Sequence, residues 1–313
     1  MIFTSKVNEI LDPGYGVRYE RHTKRIINTD GTFNVIRKGV GFSSRNIYQD
    51  LIKMSWVKFL TINILIIFTL NALFALLYIW IGLDQIEGVA VGTGFYHDFT
   101  QAFFFSFQTF TTLGYGRISP TGDLANLVSA IEAMIGFMSF ALITGLLYGR
   151  FSKPNISLEY SSKMLIAPYR GGKGLMFRIA NKRHSVLVNV KANVTLTLTL
   201  EEDNTTVRKY YQLKLERDGI QVFPISWTIV HPIDKDSPFN DIEMVNISGS
   251  DLEIMIQIQV FDETFGQIVH SRYSYLSEDI EYGAKFLKSY RTEESGEIIL
   301  DVRDLHKYEK VNL

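Results

Sequence analysis

Residues 97–120 read HDFTQAFFFSFQTFTTLGYGRISP, an aromatic run followed by two threonines, a leucine and Gly-Tyr-Gly. The part from 97 to 110 is too short and too interrupted to cross a bilayer, but it suits a re-entrant helix. Asp98 is the expected N-cap, with Gln101 at the N3 position of a capping box. The helix is expected to end at the threonines.

Long apolar stretches flank this segment on both sides. Residues 59–83 hold 25 positions without a charge, about 37 Å as a helix against a hydrocarbon core of roughly 30 Å. Residues 124–149 are similar and carry one charge, Glu132. We predict an outer transmembrane helix over 59–83 and an inner one over 124–150, joined by an extracellular segment over 84–123.

The distribution of charge predicts on which side of the membrane the termini lie. Residues 1–58 contain ten Lys or Arg against five Asp or Glu, whereas 84–123 contain only Arg117 against four acidic residues. The positive-inside rule then puts both termini in the cytoplasm. We expect an integral membrane protein. With no cysteine, a disulfide framework and a thiolate metal site are excluded.

After Pro154 the pattern changes to alternation with period two. Apolar residues occupy every second position in two runs: Val186, Val188, Val190, Ala192, Val194, Leu196, Leu198 and Leu200, then Leu252, Ile254, Ile256, Ile258 and Val260. Such alternation predicts a soluble antiparallel β-sandwich, assigned to 151–313. GGKG at 171–174 lacks the context of a phosphate loop and reads as a hairpin turn.

The chain before the first span has two parts. Residues 1–45 are polar without a sustained period and predict a mobile or loosely docked N-terminal arm. Residues 46–58 fit an amphipathic helix at the membrane surface, or else the frayed start of the first span. A second Gly-Tyr-Gly, at 14–16, follows Asp-Pro in the polar arm and is predicted to be a turn.

The position of TTLGYG, between two spans and after a re-entrant helix, predicts a selectivity filter. The negative end of the helix would favour a cation, and extended backbone at membrane depth is tolerated where it lines a pore. Four such segments can replace the hydration shell of K⁺ with carbonyl oxygens, which implies a homotetramer. The filter residues are Thr112, Leu113, Gly114, Tyr115 and Gly116, with K⁺ bound at the first four. K⁺ is the permeant ion, and no cofactor is expected.

At this point the chain resembles the prokaryotic inward-rectifier potassium channel family (KirBac-type). The resemblance rests on TTLGYG, on ALITGLLYGRFSKP at the end of the inner helix, on SWTIVHPIDKDSP at 226–238, and on the two-span layout. It implies a tetrameric pore above an immunoglobulin-like cytoplasmic domain, an interfacial slide helix, and gating by lipids and cytoplasmic ligands. Because the family is prokaryotic, it also implies a place in the bacterial inner membrane.

The sequence departs from the family pattern around the filter. Leu113 replaces the more usual Val or Ile, and Gln108 stands where many relatives have a glutamate that braces the filter. Arg117 could cap the outer mouth. The residues expected to support the filter are Gln108, Thr111, Arg117 and Glu132. Glu132 is ionisable inside a span, so it is a functional candidate by default, more in keeping with a hydrogen-bonded position behind the filter than with an ion site.

Four residues recur every four positions along the inner helix: Gly136, Phe140, Thr144 and Tyr148. This stripe would face the pore cavity, or it could pack against the first span. The resemblance implies that Phe140 lies at the position controlling polyamine block and Tyr148 at the bundle crossing. Without a carboxylate at Phe140, weak rectification by polyamines or Mg²⁺ is expected. Gly136 or Gly145 would be the bending point.

Basic residues gather where the spans meet the cytoplasm: Lys53, Lys58, Arg150 and Lys153. They could bind anionic lipid headgroups or could reflect only the positive-inside bias.

An enzyme is not expected, because the histidines are scattered without ligand spacing: His22, His97, His184, His231, His270 and His306. No nucleic-acid partner is indicated. The rival hypothesis is a membrane-anchored binding protein that uses the sandwich for recognition.

Overall fold

The computed structural model describes residues 9–19, 25–39, 46–90, 94–154, 156–183, 185–202, 205–240 and 251–313. His22, His184 and parts of the predicted arm, 1–8, 20–24 and 40–45, lie outside them. The chain forms two compact units. The helical unit is Gly39–Lys153, and the β unit combines Met1–Lys38 with Pro154–Leu313.

The α-helices of the described residues all belong to the helical unit. They are α1 (Ile47–Lys53), α2 (Trp56–Ile81), α3 (Phe95–Phe110) and α4 (Asp123–Phe151). The strands, in chain order, are β1 (Glu9–Ile10), β2 (Arg18–Tyr19), β3 (Ile86–Glu87), β4 (Ser119–Pro120), β5 (Leu158–Tyr160), β6 (Met164–Tyr169), β7 (Gly172–Asn181), β8 (Leu187–Glu202), β9 (Thr205–Gln212), β10 (Gly219–Val222), β11 (Ser226–Ile233), β12 (Leu252–Asp262), β13 (Gln267–Leu276), β14 (Ile280–Tyr282), β15 (Ala284–Phe286), β16 (Tyr290–Thr292), β17 (Ile298–Leu300) and β18 (Tyr308–Lys310).

The two predicted spans are present as helices. With 26 and 29 residues, α2 and α4 are long and apolar enough to cross a membrane. The first begins earlier than residue 59 because Ser55 caps it, with its hydroxyl oxygen accepting the Lys58 N–H at 3.4 Å.

The predicted surface helix over 46–58 is two helical pieces rather than one. Asn46 caps α1 by accepting the Gln49 N–H at 3.2 Å. This helix ends at Lys53, and Met54 and Ser55 have extended backbones, with ψ of 159° and 153°. Because Ser55 then starts α2, residues 56–58 already belong to the outer span.

The re-entrant helix begins before the predicted cap. Its N-cap is Gly94, so Asp98 lies in the first turn and the expected capping box with Gln101 is wrong. Phe95, Phe99 and Phe103 stack one turn apart, with ring centroids 6.1 and 6.0 Å apart, and this aromatic ladder extends the helix toward its N-terminus. Asp98 still suits the positive end of the helix. The C-cap is Thr111, so the predicted end at the threonines is confirmed.

The β unit is built on a sandwich of two sheets, as predicted, and also contains two two-stranded sheets, β15 with β18 and β16 with β17. The larger sheet has the order β1-β9-β8-β12-β13, with β10 beside β8 and β2 beside β9; the smaller has the order β11-β7-β6-β14, with β5 beside β7. Pairing is antiparallel except between β6 and β14. One core joins both sheets, from Phe177 and Ile179 on β7 to Ile254 and Ile256 on β12.

The predicted alternation holds over most of β8 and all of β12. Val190, Ala192, Val194, Leu196 and Leu198 are buried, but Val186 is exposed and Val188 is only partly buried, while Leu187 faces the core. The cause is a β-bulge at Asn189, whose φ is 51°. The register with β12 shifts there by one residue, and such a shift reverses the faces of the strand.

The N-terminal segment is docked on the larger sheet rather than loosely held. Ile26 and Ile27 are buried, and their N–H groups donate to the Glu253 carboxylate on β12 at 2.8 and 3.1 Å. Glu253 and Met255 lie on the face of β12 opposite the sandwich core, which the alternating pattern predicts to be exposed to solvent. The N-terminal segment covers that face, so both residues are buried.

Both predicted turns are present, the second at 170–171 rather than over the predicted 171–174. The Asp12 carboxylate accepts the N–H groups of Gly14, Tyr15 and Gly16 at 2.7 to 3.0 Å, so the first Gly-Tyr-Gly is a carboxylate-capped turn. Strands β6 and β7 form a hairpin whose turn residues, Arg170 and Gly171, have φ of 48° and 81°.

His231 on β11 is a buried polar residue of the β unit. Its Nδ1 lies 2.7 Å from the Lys214 carbonyl oxygen and its Nε2 lies 2.8 Å from the Ser237 hydroxyl. Burial lowers the pKa of His231 from its usual value of 6.5. The folded protein therefore holds this ring neutral.

We predict that the stability of the β unit falls as the pH drops through 6.5, because the unfolded chain then binds a proton at His231 that the folded chain resists. Thermal unfolding of the purified full chain at a series of pH values measures this. His231→Gln should flatten the pH dependence, whereas His270→Gln, which removes an exposed histidine, should keep it. Equal slopes in the two variants would contradict the assignment.

Candidate pore site

The predicted filter segment has an alternating backbone. Thr112, Gly114 and Gly116 have φ of 58°, 49° and 78°, whereas Leu113 and Tyr115 between them do not adopt positive φ. Glycine tolerates this region, but a β-branched threonine is strained there. Strain of this kind persists where the surroundings fix it, and it is concentrated at functional sites. Reversal of φ at every second residue can turn successive peptide groups to one side of the chain.

The end of the re-entrant helix fixes the start of this segment. The Gln108 carbonyl oxygen accepts the N–H of Leu113 at 2.9 Å and that of Gly114 at 3.4 Å. The Thr111 hydroxyl donates to the Phe107 carbonyl at 2.6 Å. Two of the predicted support residues therefore contact the segment or its helix. Gln108 does so through its main chain, so this contact is independent of the residue type at 108.

Arg117 lies away from these contacts. Its guanidinium has no hydrogen bond or ion pair to the described residues. Its main chain, however, is closely packed: a Cβ on Gly88 would lie 1.9 Å from the Arg117 carbonyl oxygen. The pairing of β3 with β4, at Glu87 and Ser119, holds the chain beyond the filter.

Glu132 is buried where three helices meet. Its carboxylate on α4 accepts the Tyr78 hydroxyl of α2 at 2.6 Å and the Ser106 hydroxyl of α3. Ser106 also lies 3.0 Å from Asn71 Oδ1 on α2. All four side chains are buried. Sequence reasoning placed Glu132 behind the filter but missed its partners, although Asn71 and Ser106 stand out as polar residues in apolar helices.

The inner-helix stripe divides into two parts. Gly136 is buried against the re-entrant helix: a Cβ there would lie 2.0 Å from the Phe110 carbonyl oxygen. Phe140 and Tyr148 are 73% and 74% exposed within one chain. Thr144 is exposed as well, and its hydroxyl donates to the Phe140 carbonyl at 2.8 Å. Gly136 is thus a packing contact rather than an open member of the stripe.

Phe140 and the base of the filter share a cavity. This cavity of about 260 Å³ is lined by Thr111, Thr112, Gly136 and Phe140, among others. The structure therefore brings the stripe residue Phe140 close to the first filter residue.

Arg150 is held inside the helical unit. Its guanidinium donates to the main-chain carbonyls of Leu51, Ile52 and Met54, the last at 2.8 Å. It also lies 4.6 Å from the ring centroids of both Trp56 and Phe59. The other three basic residues of the predicted cluster, Lys53, Lys58 and Lys153, are exposed.

Comparisons with known proteins agree with this arrangement. A family model for the inward rectifier potassium channel C-terminal domain matches residues 158–313, and a second, for ion channels, matches 64–153.

Individual relatives align with most of the chain. The inward rectifier potassium channel Kirbac3.1 of Paramagnetospirillum magnetotacticum is 33% identical over 93% of this chain and 98% of its own length. ATP-sensitive inward rectifier potassium channel 8 of Homo sapiens and that of Rattus norvegicus are each 25% identical over 88% of this chain and 72% of their own.

These relatives are named as ion channels rather than enzymes, and the matches cover the helical unit and the sandwich alike. The chain belongs to the inward rectifier potassium channel family.

Proposed function

We propose that four copies of this chain form a symmetric homotetrameric pore that conducts K⁺ passively and selectively. In this pore the carbonyl oxygens of Thr112, Leu113, Gly114 and Tyr115 replace the hydration shell of the ion. The observation that carries the proposal is the positive φ at residues 112, 114 and 116, directly after a helix whose last carbonyls anchor the segment. The negative end of that helix favours a cation beside it.

Fourfold assembly is supported by the apolar side chains of the filter segment that one chain alone leaves exposed. Leu113 and Tyr115 are 54% and 74% exposed in the single chain. Neither side chain is buried by other residues of its own chain. Neighbouring copies would cover these apolar surfaces and close the ring around the ion. The charge bias between 1–58 and 84–123 supports cytoplasmic termini. The similarity to the channel of Paramagnetospirillum magnetotacticum supports a bacterial inner membrane.

The gate is proposed at Tyr148. Four exposed rings near the end of α4 form a hydrophobic constriction that closes by dewetting. Since Gly136 is packed against Phe110 and a Cβ at Gly145 would meet nothing within 4 Å, the bending point is assigned to Gly145. Phe140 offers a ring and no carboxylate, so block by polyamines or Mg²⁺ from the cytoplasmic side is weak and rectification is shallow.

Regulation by anionic lipid is proposed at Lys53, Lys58 and Lys153, whose side chains are exposed. Arg150 has a different part in this proposal. Because its guanidinium donates to carbonyls at the end of α1, Arg150 connects α1 to the end of α4, where the gate is proposed. Lipid contacts on α1 would then reach the gate through Arg150.

Gly114→Ala tests the filter. Alanine is strained at the φ of 49° found at Gly114, so the variant should lose K⁺ flux into liposomes, whereas the wild-type protein should conduct K⁺ but not Na⁺ and be blocked by barium. The matched control is Gly14→Ala, the same change in the other Gly-Tyr-Gly, also at positive φ, 103°. It should retain flux. Barium-insensitive flux without preference for K⁺, or equal flux in the two variants, would contradict the proposal.

Tyr148→Ala tests the gate. Removal of the ring widens the proposed constriction, so open probability in planar bilayers should rise while the K⁺ to Na⁺ permeability ratio stays unchanged. Leu142→Ala, a change at an exposed residue of α4 outside the stripe, should leave open probability near the wild-type value. A Tyr148→Ala channel with unaltered open probability would place the gate elsewhere.

A further inference from the structure

A cavity rich in arginine lies in the β unit, where the N-terminal segment meets the larger sheet. It measures about 340 Å³, and three of its lining residues are Arg25, Arg37 and Arg208. The lining drawn from the described residues contains no acidic side chain. We call this space the arginine cavity.

Hydrogen bonds within the protein fix the walls of the arginine cavity. Arg25 donates to Asp279 at 2.9 Å, and the Arg208 Nε donates to the Thr199 hydroxyl at 3.3 Å. The Asn34 N–H donates to the Ile26 carbonyl at 2.9 Å, closing residues 26–34 into a loop. The two N–H contacts to Glu253 hold that loop on β12. The guanidinium groups of Arg25 and Arg208 are therefore held in place by other side chains of the β unit.

Aromatic side chains form one side of the cavity. Tyr15 and Phe33 have ring centroids 6.1 Å apart, too close for a further ring between them. The Arg272 guanidinium covers Phe33 at 5.2 Å from the centroid, and the Phe33 side chain remains 40% exposed. A ligand can thus lay an apolar part against the free edge of Phe33.

Arg37 is the open member of the set. It is exposed, and it makes no hydrogen bond or ion pair to the residues that the structure describes. Its guanidinium can therefore turn to an incoming anion without giving up a contact to any described residue. Arginine binds phosphate through paired N–H groups, and several guanidinium groups around one cavity suit a charge greater than one.

We propose that the arginine cavity binds a small phosphate-bearing anion. Its volume is at the lower end of the range for small-molecule pockets, which fits an inorganic or sugar phosphate, or the headgroup of a phospholipid, better than a larger ligand. Bound phosphate would join Arg37 to Arg25 and Arg208, and so fasten the N-terminal segment to the sheet. This site is separate from the filter, the gate and the lysines assigned above to lipid.

Pyrophosphate is the probe for this proposal, titrated into the purified full chain in detergent by calorimetry at constant ionic strength. Wild-type protein should bind it, and Arg37→Gln should weaken binding about tenfold or more through loss of one charged contact. Arg291→Gln removes an exposed arginine from β16, outside the cavity, and should bind as the wild type does. No binding beyond that of matched chloride, or equal affinities for the two variants, would overturn the site.

The source of the phosphate is decided by competition. Dioctanoyl phosphatidic acid should displace pyrophosphate if the natural ligand is a lipid headgroup and should leave it bound if the ligand is a soluble phosphate. Neither readout depends on ion flux, so the site and the proposed channel function are tested independently.

Discussion

The buried carboxylate of Glu132 is the constraint on which the helical unit depends. A carboxylate removed from water costs several kcal/mol unless hydrogen-bond donors compensate it. Here the donors come from two different helices, Tyr78 on α2 and Ser106 on α3. The carboxylate is satisfied only when all three helices occupy their places. Because α3 ends at the proposed filter segment, the same contacts fix the point from which that segment starts.

The filter is positioned from that point by short-range contacts. The Gln108 carbonyl bonds the first filter N–H groups, and the absence of a side chain at Gly136 lets the end of α3 touch α4. The departure from the family pattern at Gln108 therefore concerns only its side chain. What fixes the segment is main-chain geometry, which a glutamine provides as well as a glutamate.

Much of this arrangement could be predicted from the sequence, since uncharged length predicts spans and period-two alternation predicts the sandwich. Local signals misled where a tertiary contact prevailed. Asp98 looked like a cap, but the Phe95, Phe99 and Phe103 ladder extends the helix past it. Val186 and Val188 followed the alternation, but the bulge at Asn189 reversed it. Docking of Ile26 and Ile27 on β12 and the bonds of Arg150 join residues far apart in sequence, which no pattern within a short stretch records. The two Gly-Tyr-Gly copies are identical, so only the residues around each copy distinguish the proposed filter from the turn.

The most direct test of this account is the K⁺ to Na⁺ permeability ratio of Tyr78→Phe/Ser106→Ala, which removes both hydroxyl donors and leaves the carboxylate buried. Tyr96→Phe/Thr100→Ala is the control, since its hydroxyls lie at the start of α3, where that of Thr100 donates to the Tyr96 carbonyl at 2.8 Å. The first channel is expected to lose K⁺ selectivity or the ability to conduct, while the control keeps the wild-type ratio. A wild-type ratio and conductance in the first channel would show that the filter does not depend on Glu132.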